Sequence, residues 1–443
     1  MSAPLRVAVV GSGPAGFYAA GHLLASDLPV EVDLIERLPT PWGLVRLGVA
    51  PDHPKIKAVS RAFEKIAAQP GFRFFGNVEL GRDVTHEELM QRYDAVVYAV
   101  GAQTDRQLGI PGEDLPGSWA ATEFVAWYNA HPDFQNIPFD LQTERAVVVG
   151  AGNVALDVAR MLALSAEELA PTDTTDVAMA AMNESALREI VLLARRGPAQ
   201  AAFTTPELKE MGELANAEVI VDPADLDGAV GTDTNSERNL VVLREYAART
   251  PSGKRRAVVF RFCVSPVEIR GESRVDEIEI VHNELVADES GGVRAVPTEQ
   301  RETIACGLVF RSVGYRGVAL PGVPFDEGLG VIPNDCGRVD PGLYCAGWIK
   351  RGPTGVIGTN KKDATETVEL LLEDARAGLL RRESDERLES LLAERGVEVV
   401  AYGGWEAIDL EERTRGEPHG RPRIKLCTWD ELLAAAKALA AHG

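Results

Sequence analysis

Apolar residues along the chain gather in short β-branched runs, each followed by a glycine-rich turn and then by a stretch with helical spacing. Val7–Val10 is the first such run. Its unbroken apolar character predicts a strand buried on both faces of a parallel sheet. Gly11-Ser12-Gly13-Pro14-Ala15-Gly16 follows, then a predicted helix over Phe17–Leu24 and a second strand over Val30–Ile35. The pattern recurs at Ala146–Val149, followed by Gly150-Ala151-Gly152-Asn153-Val154-Ala155. A helix over Val154–Leu164, a polar, acid-rich insertion (Ser165–Arg188) and a strand over Glu189–Ala194 complete it.

Strand, turn, helix and strand in this order predict a dinucleotide fold. Gly11 permits the tight turn, Gly13 lets a pyrophosphate approach the backbone, and Gly16 lets helix pack on strand. The phosphate then rests on free amides at the helix N-terminus. The two units end in opposite charges. The first ends in Glu36, whose carboxylate accepts from ribose hydroxyls and repels a 2′-phosphate, so that turn suits FAD or NAD. The second ends in Arg195-Arg196, a pair able to grip a 2′-phosphate by charge-assisted bonds, so that turn suits NADP(H). A flavin nucleotide beside NADPH makes a hydride relay.

The remaining pattern predicts how the units interleave. "AVVYAVGAQTDRQLGIPG" and "GLVFRSVGYRGVALPGVP" are each a strand, a glycine and a Pro-Gly loop, and read as crossings between domains. The predicted fold is α/β, with two Rossmann-like dinucleotide-binding domains. The NADP domain (103–315) is inserted in a discontinuous FAD domain (1–102 and 316–443). Within the insertion, Met179–Leu187 is helix-prone, Pro223–Asn239 reads as a polar loop, and Leu240–Leu243 and Val258–Val264 read as strands. "GLYCAG" (Gly342–Gly347) predicts another strand, and an apolar helix runs from about Thr359 to Leu372. The turn Gly355-Val356-Ile357-Gly358 before that helix can present amides to a flavin's pyrimidine edge. "RRESDERLESLLAERGVEVV" reads as a charged helix with a short apolar run, "RTRGEPHGRPRIK" as basic surface, and Trp429–Ala441 as a terminal amphipathic helix.

Composition narrows the function classes. The 443 residues exceed one ordinary core. A formal net charge of −21 disfavours nucleic acid as a general partner and leaves room for a local basic face. No CxxC pair exists among the five cysteines, so neither a zinc site nor a redox dithiol is signalled, and reduced cytoplasmic thiols are expected. The N-terminal apolar run is too short for a signal peptide, and no run is long enough for a membrane span.

The motifs "GSGPAGFYAA", "PTPWGLVRLGVAPDHPKIK", "VVGAGNVALDVAR", "ARRGPAQAAFT", "FDEGLGVIPN", "GLYCAGWIKRGPTGVIGT" and "GWEAID" span nearly the whole length. In them the chain closely resembles the adrenodoxin reductase family, ferredoxin–NADP⁺ reductases with two dinucleotide domains. The resemblance implies an NADPH–ferredoxin oxidoreductase. It implies FAD contacts at Ala15, Glu36, Leu44, Val78, Trp348 and Gly355–Ile357 (Gly355, Val356, Ile357). It implies NADP contacts at Gly152, Asn153, Val154, Ala155, Arg195, Arg196, Glu207 and Gly355. It places His53 near the flavin, paired with an acid mapped to Glu207, as the candidate catalytic residues. Trp348 stands where many other flavoproteins carry an Asp, which sets the chain apart from the disulfide-reductase branch. The implied partner is an acidic iron–sulfur ferredoxin on a local basic patch. Arg238 and Arg244 lie where the family places docking arginines, and Lys254-Arg255-Arg256 and Lys361-Lys362 are further basic candidates. Competing readings are an NADPH–quinone or dye reductase and a flavin-containing redox sensor subunit.

Overall fold

The computed structural model describes residues 4–287 and 292–438. The chain divides into two compact units, one made of Met1–Thr104, Asn129–Pro132 and Tyr315–Gly443, the other of Asp105–Tyr128 and Asp133–Gly314. The short excursion Asn129–Pro132 into the first unit has no signal in the sequence pattern.

In the first unit, β1 (Leu5–Val10), α1 (Pro14–Leu24) and β2 (Val30–Ile35) form the leading glycine-turn motif. The sheet runs Arg338–Asp340, Leu343–Cys345, Ala95–Tyr98, β1, β2, Phe72–Phe75, parallel except at the Arg338–Asp340 edge. Val7, Val9, Ala95 and Val97 point into one core and Ala8, Val96 and Tyr98 into another. Burial on both faces explains the unbroken apolar runs.

In the second unit, β3 (Arg145–Val149), α2 (Asn153–Ala163) and β4 (Glu189–Leu193) repeat the motif. Its six strands are all parallel, in the order Ser118–Ala120, Leu308–Arg311, β3, β4, Arg256–Arg261, Ala217–Val221. A separate antiparallel sheet, Val264–Arg270, Glu277–Ala287 and Val293–Ala305, belongs to the same unit. The acid-rich insertion folds in part as a helix over Asp176–Glu184.

Several expectations are corrected. Leu240–Leu243 is no strand but the middle of a helix, Thr234–Ala247, which also takes in the end of the expected loop. Asp233 caps it: its Oδ1 accepts from the Ser236 amide at 2.8 Å, and Ser236 Oγ accepts from the Asp233 amide at 3.0 Å. Ser236, Asn239, Leu240, Leu243 and Tyr246 are buried at helical spacing, a period that four apolar residues alone do not reveal. Val258–Val264 is two strands, broken at Cys263, which adopts a left-handed φ of 53°. The charged C-terminal stretch is helical only over Leu388–Glu394; before it, Arg382 pairs with Asp94 and Arg387 with Glu31. The terminal helix spans Trp429–Ala438, and its expected end lies outside the described residues. Among the described residues, no helix is long and apolar enough to cross a membrane.

Two basic side chains are buried where the sequence predicts surface, although Lys254, Arg255, Arg413 and Arg415 beside them are exposed. Lys425 is buried and donates to the Arg46 carbonyl and Asn129 Oδ1. Arg256 is 3% exposed and donates to the carbonyls of Leu162, Leu164, Met182 and Leu187. It closes the C-terminal ends of the helices Asn153–Ala163 and Asp176–Glu184 and cannot be a docking charge. Arg256→Ala strands those carbonyls, so denaturant unfolding should show a loss of about 3 kcal/mol. Lys254→Ala, at an exposed position, should stay within about 0.5 kcal/mol of the parent.

Candidate active site

Register decides what the first glycine turn can reach. Val10 pairs with Ile35, so Glu36, just past β2, comes beside Ser12, just past Gly11. Glu36 Oε2 accepts from the Ser12 amide at 3.0 Å and from its hydroxyl at 2.7 Å, and Oε1 accepts from the Leu38 amide at 3.0 Å. A carboxylate offers about four acceptor positions. The half-buried Glu36 therefore keeps capacity for a further donor such as a ribose hydroxyl. Gly11 has a φ of 103°, and a Cβ there would lie 2.6 Å from the Ala99 carbonyl oxygen. A Cβ on Gly16 would lie 1.9 Å from the Gly11 carbonyl oxygen, so only glycine lets α1 pack this close. At Gly13 an added Cβ meets nothing within 4 Å. The open space beside Gly13, next to α1's unpaired first amides, suits an anionic pyrophosphate. Ala15, in the first turn of α1, is buried.

The segment after Thr40 folds back over this turn. The Trp42 amide donates to the Ser12 carbonyl at 3.0 Å, and Trp42 holds a left-handed φ of 85°. Its buried indole meets Trp405 edge-on, ring centres 4.8 Å apart. Arg46 fixes the same segment from below. Its guanidinium donates to Glu412 at 2.8 and 2.5 Å and lies 5.1 Å from the Trp405 ring centre. Burial alone would raise the Glu412 carboxyl, but the charges of Arg46 and Arg423 and hydrogen bonds from Arg46 and the Leu426 amide hold it below its ordinary value. Leu44 remains 37% exposed, while Val78 is fully buried. His53 is buried between Pro51 and Pro54; its amide donates to the Ala50 carbonyl and its carbonyl accepts from Ile56 at the head of a short helix, Pro54–Lys57.

The strand Leu343–Cys345 brings a third element to the first unit's site. It lies parallel to Ala95–Tyr98 and leads to Gly347, whose amide donates to Asp363. Asp363 is buried and lies 3.3 Å from Lys350 Nζ and 3.6 Å from Arg351. Trp348 is half-buried, and its indole donates to the Thr354 carbonyl at 3.1 Å. Gly355 and Val356 precede the helix Ile357–Arg376, with Val356 60% exposed and Ile357 half-buried. Exposed apolar side chains beside a helix N-terminus fit a flat, partly apolar ring with a polar edge.

The second unit repeats the register and changes the charge. Val149 pairs with Leu193, so the residues past β4 flank the second turn. Arg195 and Arg196 are both exposed, and their backbones are embedded: the Arg195 carbonyl accepts from Asn283 and the Arg196 carbonyl from the Cys263 amide, while the Arg196 guanidinium donates to the Gln200 carbonyl at 3.5 Å. Gly152, like Gly13, faces open space. Val154 is half-buried and Ala155 fully buried in α2. The Asn153 side chain accepts from the Thr204 amide at 2.8 Å and so tethers the loop after the arginines. Glu207 lies on the helix Thr205–Glu210, 3.5 Å from Arg160 of α2, which also pairs with Asp157 at 2.8 Å.

Local sequence pattern marks the strand ends and turns but does not mark Ser12, Trp42, Arg46, Glu412 or Asp363 as site residues. The density of rare residues in "PTPWGLVR" was the one available signal.

A family model described as pyridine nucleotide-disulphide oxidoreductase matches residues 5–196. The chain is 52% identical to NADPH-ferredoxin reductase FprA of Mycobacterium tuberculosis, covering 97% of this chain and 98% of that one. It is 43% identical to the mitochondrial NADPH:adrenodoxin oxidoreductase of Salvelinus fontinalis, covering 98% and 91%. A solved structure of M. tuberculosis FprA in complex with NADPH matches with a TM-score of 0.94 at 52% identity, covering 98% of this chain and 100% of that one. The chain belongs to the adrenodoxin reductase family. As a member it has the family's α/β architecture of two dinucleotide-binding motifs, and it has no CxxC dithiol. All five cysteines are free, and burial pushes the thiols of Cys306 and Cys345 up to about 12.

The clamp under the Trp42 segment gives a direct test. Glu412→Gln keeps the shape and removes the charge, and should lower stability near pH 7 by about 3 kcal/mol. The Glu412 carboxyl is lowered on folding, so its contribution is complete above the ordinary value of 4.5 and lost as pH falls through the folded value. Unfolding midpoints of parent and variant should therefore converge on acidification below 4.5.

Proposed function

We infer that the chain is an FAD-dependent NADPH–ferredoxin oxidoreductase, taking hydride from NADPH and passing electrons singly to an iron–sulfur ferredoxin. The observation that carries this reading is the opposite charge at two equivalent places: a fixed carboxylate at Glu36 and two exposed guanidiniums at Arg195 and Arg196. Bound FAD supplies a carrier that accepts electrons in pairs and releases them one at a time.

The first unit is read as the FAD domain and the second as the NADP domain. Gly11, Gly13, Ala15 and Gly16 cradle the flavin's pyrophosphate, Glu36 accepts from its ribose, and Leu44, Val78, Trp348 and Gly355–Ile357 surround the ring. The backbone at Gly152–Ala155 receives the NADP pyrophosphate, and Arg195 and Arg196 bind the 2′-phosphate. Hydride transfer depends chiefly on alignment. The rigid seat of His53 supports a role in tuning proton uptake, together with Glu207. His53→Ala should lower turnover by less than about tenfold, well short of the ~10²–10⁴ of a general acid or base.

For ferredoxin, Arg238 and Arg244 are proposed as docking charges. Both are exposed on the helix Thr234–Ala247, and Arg244 is steadied by the Ala229 carbonyl at 2.9 Å. With a net charge of −21, only such a local face can attract an acidic partner. The free cysteines support a cytoplasmic setting.

Stopped-flow reduction with each nicotinamide tests the nucleotide assignment. Arg195→Ala and Arg196→Ala should each raise the KM for NADPH by about tenfold or more and leave NADH nearly unchanged; equal loss with both refutes it. Raising salt should weaken turnover with ferredoxin and spare ferricyanide reduction, and parallel responses refute the basic face.

A further inference from the structure

The antiparallel sheet of the second unit lies outside both glycine-turn motifs. One of its residues, Asn283, reaches the arginine loop. Its Nδ2 donates to the Arg195 carbonyl at 2.9 Å and to Ser265 Oγ at 2.8 Å. Its amide donates to the Cys263 carbonyl at 2.7 Å, and the Cys263 amide donates to the Arg196 carbonyl at 3.1 Å. Both arginines are thus held by the backbone from one side, and their exposed side chains extend from a fixed base.

The sheet is deformed at this point. Pairing runs regularly to Val281 opposite Arg301, then resumes with Asn283 opposite Pro297. The Thr298 hydroxyl donates to the His282 carbonyl at 2.9 Å across the irregularity. Proline offers no amide to the ladder, and a bulge re-aims the neighbouring side chain. Cys263, at the same junction, carries the left-handed φ of 53°. Asn283 is 8% exposed, and its buried Oδ1 accepts from nothing among the described residues. An apolar side chain there would avoid that cost, so the amide's benefit lies with its donors.

We infer that Asn283 is a positioning residue for nicotinamide selectivity: by fixing the Arg195 backbone it presents the guanidinium pair to the 2′-phosphate of NADPH. This rests on the assignment of Arg195 and Arg196 to that phosphate. Preorganised charge binds more tightly than mobile charge because less ordering accompanies the ligand.

The test compares Asn283→Ala, Asn283→Asp and Ser265→Ala with Arg195→Ala. For each, calorimetry measures binding of 2′,5′-ADP and of 5′-ADP, and steady-state assays give kcat and KM for NADPH and NADH. Both Asn283 variants should lose about tenfold in 2′,5′-ADP affinity and in NADPH-over-NADH selectivity, with kcat and 5′-ADP binding retained. Ser265→Ala, which removes the other partner of the same amide, should stay within about twofold. Unchanged 2′,5′-ADP binding in either Asn283 variant overturns the inference, as does an equal loss in Ser265→Ala. If Arg195→Ala itself shows no selective loss, the 2′-phosphate assignment has failed instead. Asn283→Asp preserves size, so it decides the matter should Asn283→Ala not fold.

Discussion

A residue just past the second strand of a parallel pair must lie beside the turn that ends the first. That constraint of register organises both units. It puts Glu36 against Ser12 in one and the Arg195–Arg196 pair beside the second glycine turn in the other. The strand register leading to each turn is the same; the side chains just past the second strand set the sign of the local field. A carboxylate there accepts hydroxyl donors and repels a phosphate, and guanidiniums do the reverse. Opposite signs at this position are what would sort two dinucleotides that share an ADP half.

Holding that sign in place takes distant parts of the sequence. The segment Thr40–His53 is held from the far end of the sequence by the helix Tyr402–Gly416. Arg46 and Glu412, 366 residues apart, form a buried pair whose value depends on both partners, since either alone would be an uncompensated charge. Lys425 and the Trp42–Trp405 edge contact complete the clamp. On the second unit, Asn283 of the antiparallel sheet and Cys263 just before it play the equivalent part by gripping the carbonyls of the two arginines. In each case side chains from distant parts of the sequence hold the segments that carry the proposed ligand contacts.

The elements that lead to the nucleotides were legible because their signals are local. Continuous β-branched runs gave β1, β2, β3 and β4 to within about a residue or two at each end, a normal boundary error. The helix Thr234–Ala247 was not legible, because four apolar residues fit either period and the deciding cap sits at Asp233. Arg256 and Lys425 were misjudged as surface because charge predicts exposure unless backbone carbonyls are waiting to receive it, and only tertiary structure shows those carbonyls. Glu412 and Asn283 carry no local signal at all. Their importance lies wholly in partners far along the chain.

The most direct test of the charge-sorting account is a crystal structure of the FAD-loaded protein with NADP⁺ bound. The account predicts the 2′-phosphate within hydrogen-bonding distance of Arg195 and Arg196, and the flavin nucleotide's ribose hydroxyls on the Glu36 carboxylate. A 2′-phosphate directed into solvent, or an adenosine ribose of FAD that makes no hydrogen bond to Glu36, would contradict it.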